Sequence, residues 1–154
     1  FIGSNTQKVV RHSDIPVLVI KDDTDNFEPQ QMVFACDLKE ENIHAFQQAK
    51  YIAEIFAAEL RLVYVNTPGD AFLSTKEIQE KIVAFCDTVG FDLLVAIYND
   101  YSVESGVINF AMESHADIIG IPTHGRKGIS HFFLGSIGED VANHSTLPVV
   151  TFKI

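Results

Sequence analysis

Ile118-Ile119-Gly120-Ile121-Pro122-Thr123-His124-Gly125-Arg126-Lys127-Gly128 passes from a short apolar run into a glycine-bearing loop that carries two cations. Nearly continuous apolar runs of this length suit strands covered on both faces, as in parallel sheets. Working outward, residues 32–36, 60–65, 93–98, 118–121 and 149–152 share that character. Helix-period stripes separate them. Ile43, Phe46, Ala49, Ala53 and Phe56 form one stripe; Ile78, Ile82, Phe85 and Val89 form another behind a Ser74/Glu77 capping box; Val107, Phe110 and Ala111 form a third. Strands alternating with helices predict an α/β fold. Its sheet is expected to be doubly wound, open, parallel and five-stranded, in the order 3-2-1-4-5, with helices on both faces.

That order has a functional corollary. Ligands of open α/β sheets bind outside the C-terminal ends of the strands, where the strand order reverses. Asp37 follows the first strand and Thr123-His124-Gly125 follows the fourth, so the two segments are expected to meet. Gly135-Ser136 sits at a helix start, where free N–H groups and the helix dipole favour an anion. Arg126 and Lys127 add local positive charge, and Asp37 suits a ribose or base edge. A nucleotide phosphate fits these features. The loop is neither a Walker loop nor a dinucleotide fingerprint, and Gly135-Ser136-Ile137-Gly138 is no nucleophile elbow. No nucleophile–base–orienter set assembles, so no catalytic residue is assigned and the enzyme question stays open, with any nucleotide turnover expected to be slow and incidental.

The two ends of the chain repeat each other. Residues 3–21 align without a gap on residues 135–153, matching Gly3/Gly135, Ser4/Ser136, Val9/Val141, His12/His144, Ser13/Ser145, Pro16/Pro148, Val17/Val149 and Lys21/Lys153. Each copy offers a capping box, Ser4 with Gln7 and Ser136 with Glu139, followed by a proline before an apolar strand. Residues 1–20 therefore read as the last helix and strand of a preceding, truncated domain. Residues 21–30, polar and Pro-broken, read as a linker, and residues 31–154 as the main domain. Residues 16–20 are expected to lie beside residues 148–152, or to do so in a swapped dimer, because an apolar sheet edge is normally paired or covered.

Composition narrows the rest. The 154 residues are 47% hydrophobic and 21% charged, ordinary for a globular protein. A net charge of −10 with no basic cluster argues against duplex nucleic acid or an anionic membrane surface as partner. Cys36 and Cys86 stand in no metal or redox spacing and read as buried reduced thiols of a cytoplasmic protein. His124 and His131 lack a third ligand, so no metal site is assigned. His12 and His144 suit helix C-termini. His44 and His115 have no assigned role, and Glu113 and Asp117 read as surface charge.

The residues also carry a resemblance. Gly125, nine residues, then Gly135-Ser136 is similar to the pattern Gly-x-x-Gly-(nine)-Gly-Ser/Thr of the universal stress protein family. Thr-His-Gly-Arg at 123–126, Cys36-Asp37-Leu38, Tyr64-Val65 and Leu147-Pro148-Val149-Val150 match as well. The resemblance spans residues 31–153, and residues 1–21 resemble the end of a first family domain, as in a tandem member. It implies a stress-response regulatory module that binds ATP or AMP, with Mg as a companion, and acts through dimerisation. It implies that Asp37 and the Val65 backbone serve the nucleoside, and that Gly125, Gly135, Ser136 and Ile137 serve the phosphates; Pro122, Thr123, His124, Arg126 and Gly128, from the same loop, complete the candidate cofactor site. It further implies a homodimer or pseudo-dimer joined through residues 149–152 and 17–20. Pro122 stands where the family has a glycine and offers no N–H. The alternative is thus a member that has lost ATP binding and acts through protein interaction or another small ligand.

Overall fold

The computed structural model describes residues 3–22, 25–90, 92–123 and 134–154. In chain order the elements are α1 (Ser4–His12), β1 (Val17–Val19), β2 (Gln31–Ala35), α2 (Ile43–Phe56), β3 (Glu59–Asn66), α3 (Thr75–Val89), β4 (Val95–Asn99), α4 (Val103–Glu113), β5 (Ile118–Thr123), α5 (Leu134–His144) and β6 (Val149–Lys153). The sheet runs β1-β6-β5-β2-β3-β4. The pairs β6–β5, β5–β2, β2–β3 and β3–β4 are parallel, and β1–β6 is antiparallel. The five expected strands hold the expected order. The sheet nevertheless has six strands rather than five, and is not wholly parallel. The apolar outer edge of β6 is covered by β1 of the same chain.

Strand alternation sorts the core into two layers. Met32, Phe34, Leu62, Tyr64, Ile118, Val150 and Phe152 face α2 and α3, where Phe46, Ala49, Ile78, Ile82 and Phe85 meet them. Val33, Val63, Val65, Ile119, Ile121 and Val149 face the other way, onto Val107 and Ala111 of α4, Val141 of α5 and Val10 of α1. Phe34 centres the first layer, with Phe46 and Phe152 at ring separations of 6.2 and 5.8 Å. Full burial of one such ring stabilises the fold by up to about 3 kcal/mol.

Several local expectations need correction. The Ser74/Glu77 capping box forms. The Ser4/Gln7 box does not, because α1 already includes Ser4 and Gly3 is its cap, without a side-chain bond. The Ser136/Glu139 box lies outside what the structure describes, and the Glu139 carboxylate accepts two bonds of 2.9 Å from Arg11. Residues 93 and 94 precede β4, and Leu94 is fully exposed. Asp117 is no idle surface charge: its carboxylate accepts from the N–H groups of Gln30 and Gln31, at 2.8 and 2.9 Å, fixing the start of β2. Glu113 accepts from the Tyr98 hydroxyl. Within the 21–30 segment, Phe27 packs edge-on against Phe56 and so belongs to the core margin.

The terminal repeat extends to hydrogen bonds. Ser13 N–H donates to Val9 C=O and Ser145 N–H to Val141 C=O, while each serine hydroxyl bridges the residue two further on, Ile15 or Leu147. β1 and β6 pair Val17↔Thr151, Leu18↔Val150 and Val19↔Val149. In the repeat alignment Leu18 corresponds to Val150, so the register is two-fold about that equivalent pair. Lys21 donates to the carbonyls of Asn143 and Ser145 at the end of α5, a cationic C-cap. Its counterpart Lys153 reaches Asp14.

Candidate functional site

A notch opens where β2 stops short. The last β2 pairs are Ala35↔Val63 and Phe34↔Gly120. Beyond them β3 continues to Asn66, held by β4, and β5 continues to Thr123, held by β6. Three residues of each flanking strand thus stand above the end of β2, with Asp37 at the floor.

Strand alternation decides what the walls present. Val63 C=O accepts from Cys36 N–H, so Val63 turns its polar groups toward β2. Two residues on, Val65 turns its N–H and C=O the same way, past the last β2 partner. On the opposite wall, Ile119 N–H donates to Pro148 C=O and Thr123 C=O accepts from Ile154 N–H, so the odd residues of β5 face β6. Pro122 therefore faces the notch. A proline inside a central strand would normally sacrifice a ladder bond. Here its missing N–H points at the gap, so none is lost, and the ring takes the donor's place in the notch. One wall offers a donor–acceptor pair, the other an acceptor and an apolar ring.

Two glycines set the walls. A Cβ at Gly106 of α4 would stand 2.4 Å from Val65 Cγ1, and one at Gly138 of α5 would stand 2.4 Å from Thr123 Cγ2. Bare backbone lets α4 lie on the end of β3, and α5 on the end of β5. Neither glycine stands out in the sequence, because close approach is visible only once the helices are placed.

At the floor, Asp37 is heavily engaged. Its Oδ1 accepts from Lys39 N–H at 3.2 Å and from Asn42 Nδ2 at 2.5 Å, and its Oδ2 meets the Lys39 ammonium at 2.7 Å. Leu38, at φ 61° in the left-handed region, folds the loop back so that both Lys39 groups reach the carboxylate. Asn42 is 1% exposed, and its Oδ1 has no partner among the described residues. An orphaned buried acceptor of this kind costs about 1–3 kcal/mol. Sequence reading missed Lys39 and Asn42; an amide just past the acidic residue and before a helix was the available signal. The hydrogen bond to Asp37 raises the Lys39 pKa, and burial raises that of Tyr64, with Asp37 adding to it. Burial pushes the neighbouring Cys36 thiol up to about 12.

Of the expected site residues, Asp37, Val65 and Pro122 meet at the notch. Thr123 is buried at its rim, its hydroxyl toward Phe152 C=O. Ile137 packs into the core and can offer only backbone. Gly135 and Ser136 lie in the first turn of α5. His124, Gly125, Arg126 and Gly128 fall outside the described residues. A shallow depression of about 280 Å³, lined by Gln47, Lys50, Tyr51, Glu54, Phe46 and Val89, lies on the helical outside instead. Among the described residues no cluster of His, Cys, Asp or Glu suits a metal, and no helix is long and apolar enough to cross a membrane.

Comparison with known proteins adds to this geometry. The model of the universal stress protein family matches residues 29–153. The chain belongs to that family. Among solved structures, a universal stress protein from Archaeoglobus fulgidus DSM 4304 aligns with a TM-score of 0.74 and 23% identity, over 99% of this chain and 56% of its own. A universal stress protein in complex with cAMP aligns at 0.62 and 19% identity, over 80% of this chain and 97% of its own. A universal stress protein from Archaeoglobus fulgidus in complex with dAMP gives 0.57 and 19%, over 79% of this chain and 96% of its own. This universal stress protein chain thus spans about half the length of the first relative. At these identities the structural likeness is one of fold. No curated protein sequence matches the chain.

Proposed function

We propose that this universal stress protein chain binds an adenine nucleotide in the β3–β5 notch and serves as a regulatory module in a cytoplasmic stress response. The carrying observation is the outward-turned N–H and C=O of Val65 facing the notch above the Asp37 carboxylate. A planar base with adjacent donor and acceptor atoms matches the first, and a sugar hydroxyl matches the second. The relatives with cAMP and dAMP, of the same fold, favour this class of ligand. ATP with Mg is the candidate for the loaded state, its phosphates directed to the glycine-bearing loop and the first turn of α5.

The tandem reading belongs to the same proposal. The α1–β1 unit repeats α5–β6 in sequence, and the two-fold register about Leu18↔Val150 is what the seam between two such domains would have. The seam is then the element through which occupancy is signalled, as a pseudo-dimer within one chain or a dimer between two. A second reading rests on Pro122: with a ring where a donor would face the ligand, the notch favours a protein-interaction role or a different small ligand.

Calorimetric titration of Mg-ATP and AMP into the chain and into Pro122→Gly separates the two. Micromolar binding by the unaltered chain supports the nucleotide module. Binding gained only in Pro122→Gly supports the second reading, and no binding by either overturns the first.

A further inference from the structure

Asp37 has no idle oxygen. Oδ1 is tied to the Lys39 N–H and to the buried Asn42 amide, both fixed parts of the loop. Oδ2 is taken by the Lys39 ammonium at 2.7 Å, on a side chain that is 56% exposed and so can swing away. The three donors differ in mobility: two are built in, and one sits at the end of a flexible four-carbon stem. The left-handed backbone of Leu38, uncommon for a bulky buried residue, aims that stem back at the carboxylate. Asn42 leaves its own Oδ1 unpaired while donating to Asp37, so the loop is arranged around holding this carboxylate in place.

We propose that Lys39 is an internal competitor for the notch, and that a ligand hydroxyl gains Asp37 only by displacing its ammonium. The proposal rests on the nucleotide reading above and adds selectivity to it. A neutral nucleoside must break the Lys39–Asp37 pair and brings the released ammonium no anion in exchange, leaving it only the weaker pull of Glu41. A nucleotide breaks the same pair but brings phosphate charge that the released ammonium can meet. Lys39 thus penalises the unphosphorylated ligand more than the phosphorylated one, a discrimination built from a single mobile charge on an otherwise acidic protein of net charge −10.

The test titrates adenosine and Mg-ATP separately into the parent chain, Lys39→Gln and Lys76→Gln. Lys76 is an exposed α3 residue, and its substitution changes net charge equally without touching the notch. An exposed ion pair of this kind corresponds to about a twofold to fivefold effect. Lys39→Gln should therefore bind adenosine about threefold tighter, with little gain or a loss for Mg-ATP, while Lys76→Gln matches the parent for both. Adenosine binding that appears only in Lys39→Gln is the strongest support. If the parent binds both probes and Lys39→Gln leaves their affinity ratio unchanged, the competitor is refuted and the nucleotide reading stands. If none of the three chains binds either probe, both fall together.

Discussion

Gly138→Ala tests whether the wall of the notch is built by close approach of α5 to β5. The added Cβ would stand 2.4 Å from Thr123 Cγ2, with Thr123 Cβ and Ile121 Cγ2 at ordinary contact, 3.7 and 3.8 Å. Thr123 is 7% exposed and β-branched, hence stiff, so the contact cannot be relieved by swinging a flexible side chain away. Overpacking of a tight site costs about 1–3 kcal/mol, and this contact belongs at the upper end. Against it, replacing glycine by alanine inside a helix gains about 1 kcal/mol. The net expectation is a loss of about 2 kcal/mol, or about 4–8 °C in Tm for a chain of this size. Thr123→Ser removes Cγ2 and keeps the hydroxyl. In that background Gly138→Ala should become neutral or mildly stabilising, a coupling of about 2–3 kcal/mol. Urea and thermal denaturation of the four chains measure it. A Gly138→Ala chain as stable as the parent, or one that Thr123→Ser fails to relieve, would refute the close-approach argument.

Two further outcomes are expected. Hydrogen bonds from Ser74 hold the Glu77 pKa below its ordinary 4.5, so this carboxylate stabilises the fold above that value and ceases to as the pH falls through its lowered folded value. Ser74→Ala should move the Glu77 midpoint, followed by NMR, up toward 4.5, and lower stability by about 1 kcal/mol through the lost cap. Cys36, buried and with its thiol pushed up to about 12, should resist iodoacetamide at neutral pH in the folded chain and react once urea unfolds it. Rapid alkylation of Cys36 under native conditions would contradict its burial.

The sheet was legible because its strands are apolar on both faces and its helices keep a clean stripe, and both signals are local. Strand order followed from the connection rules once the elements were counted. The covering of β6 by β1 was legible for a different reason, the repeat of residues 3–21 in residues 135–153. The capping box at Ser4 was misread because Ser-x-x-Gln/Glu marks the start of a helix only within a residue or two. Asp117 and Glu113 looked like surface charge because their partners, Gln30, Gln31 and Tyr98, come from other elements. At the notch, Asp37 and Pro122 were visible as residue types. The direction in which Pro122 and Val65 turn their backbones, and the hold of Lys39 and Asn42 on Asp37, depend on where β2 ends and on one left-handed residue. Neither leaves a mark in composition or period.

The β1–β6 seam is only three residue pairs long. Between separate molecules a contact that short would dissolve on dilution, because each association would have to pay for lost translational freedom afresh. Here residues 20–30 join β1 to β2 of the same sheet, and a short covalent connection of this kind holds β1 near β6 at an effective concentration on the order of millimolar. The seam should therefore be indifferent to how much protein is present. Its two sides also differ, Lys21 holding a helix end while Lys153 holds a carboxylate. A joint with unlike sides can have a direction, so that strain on one side need not be answered by equal strain on the other.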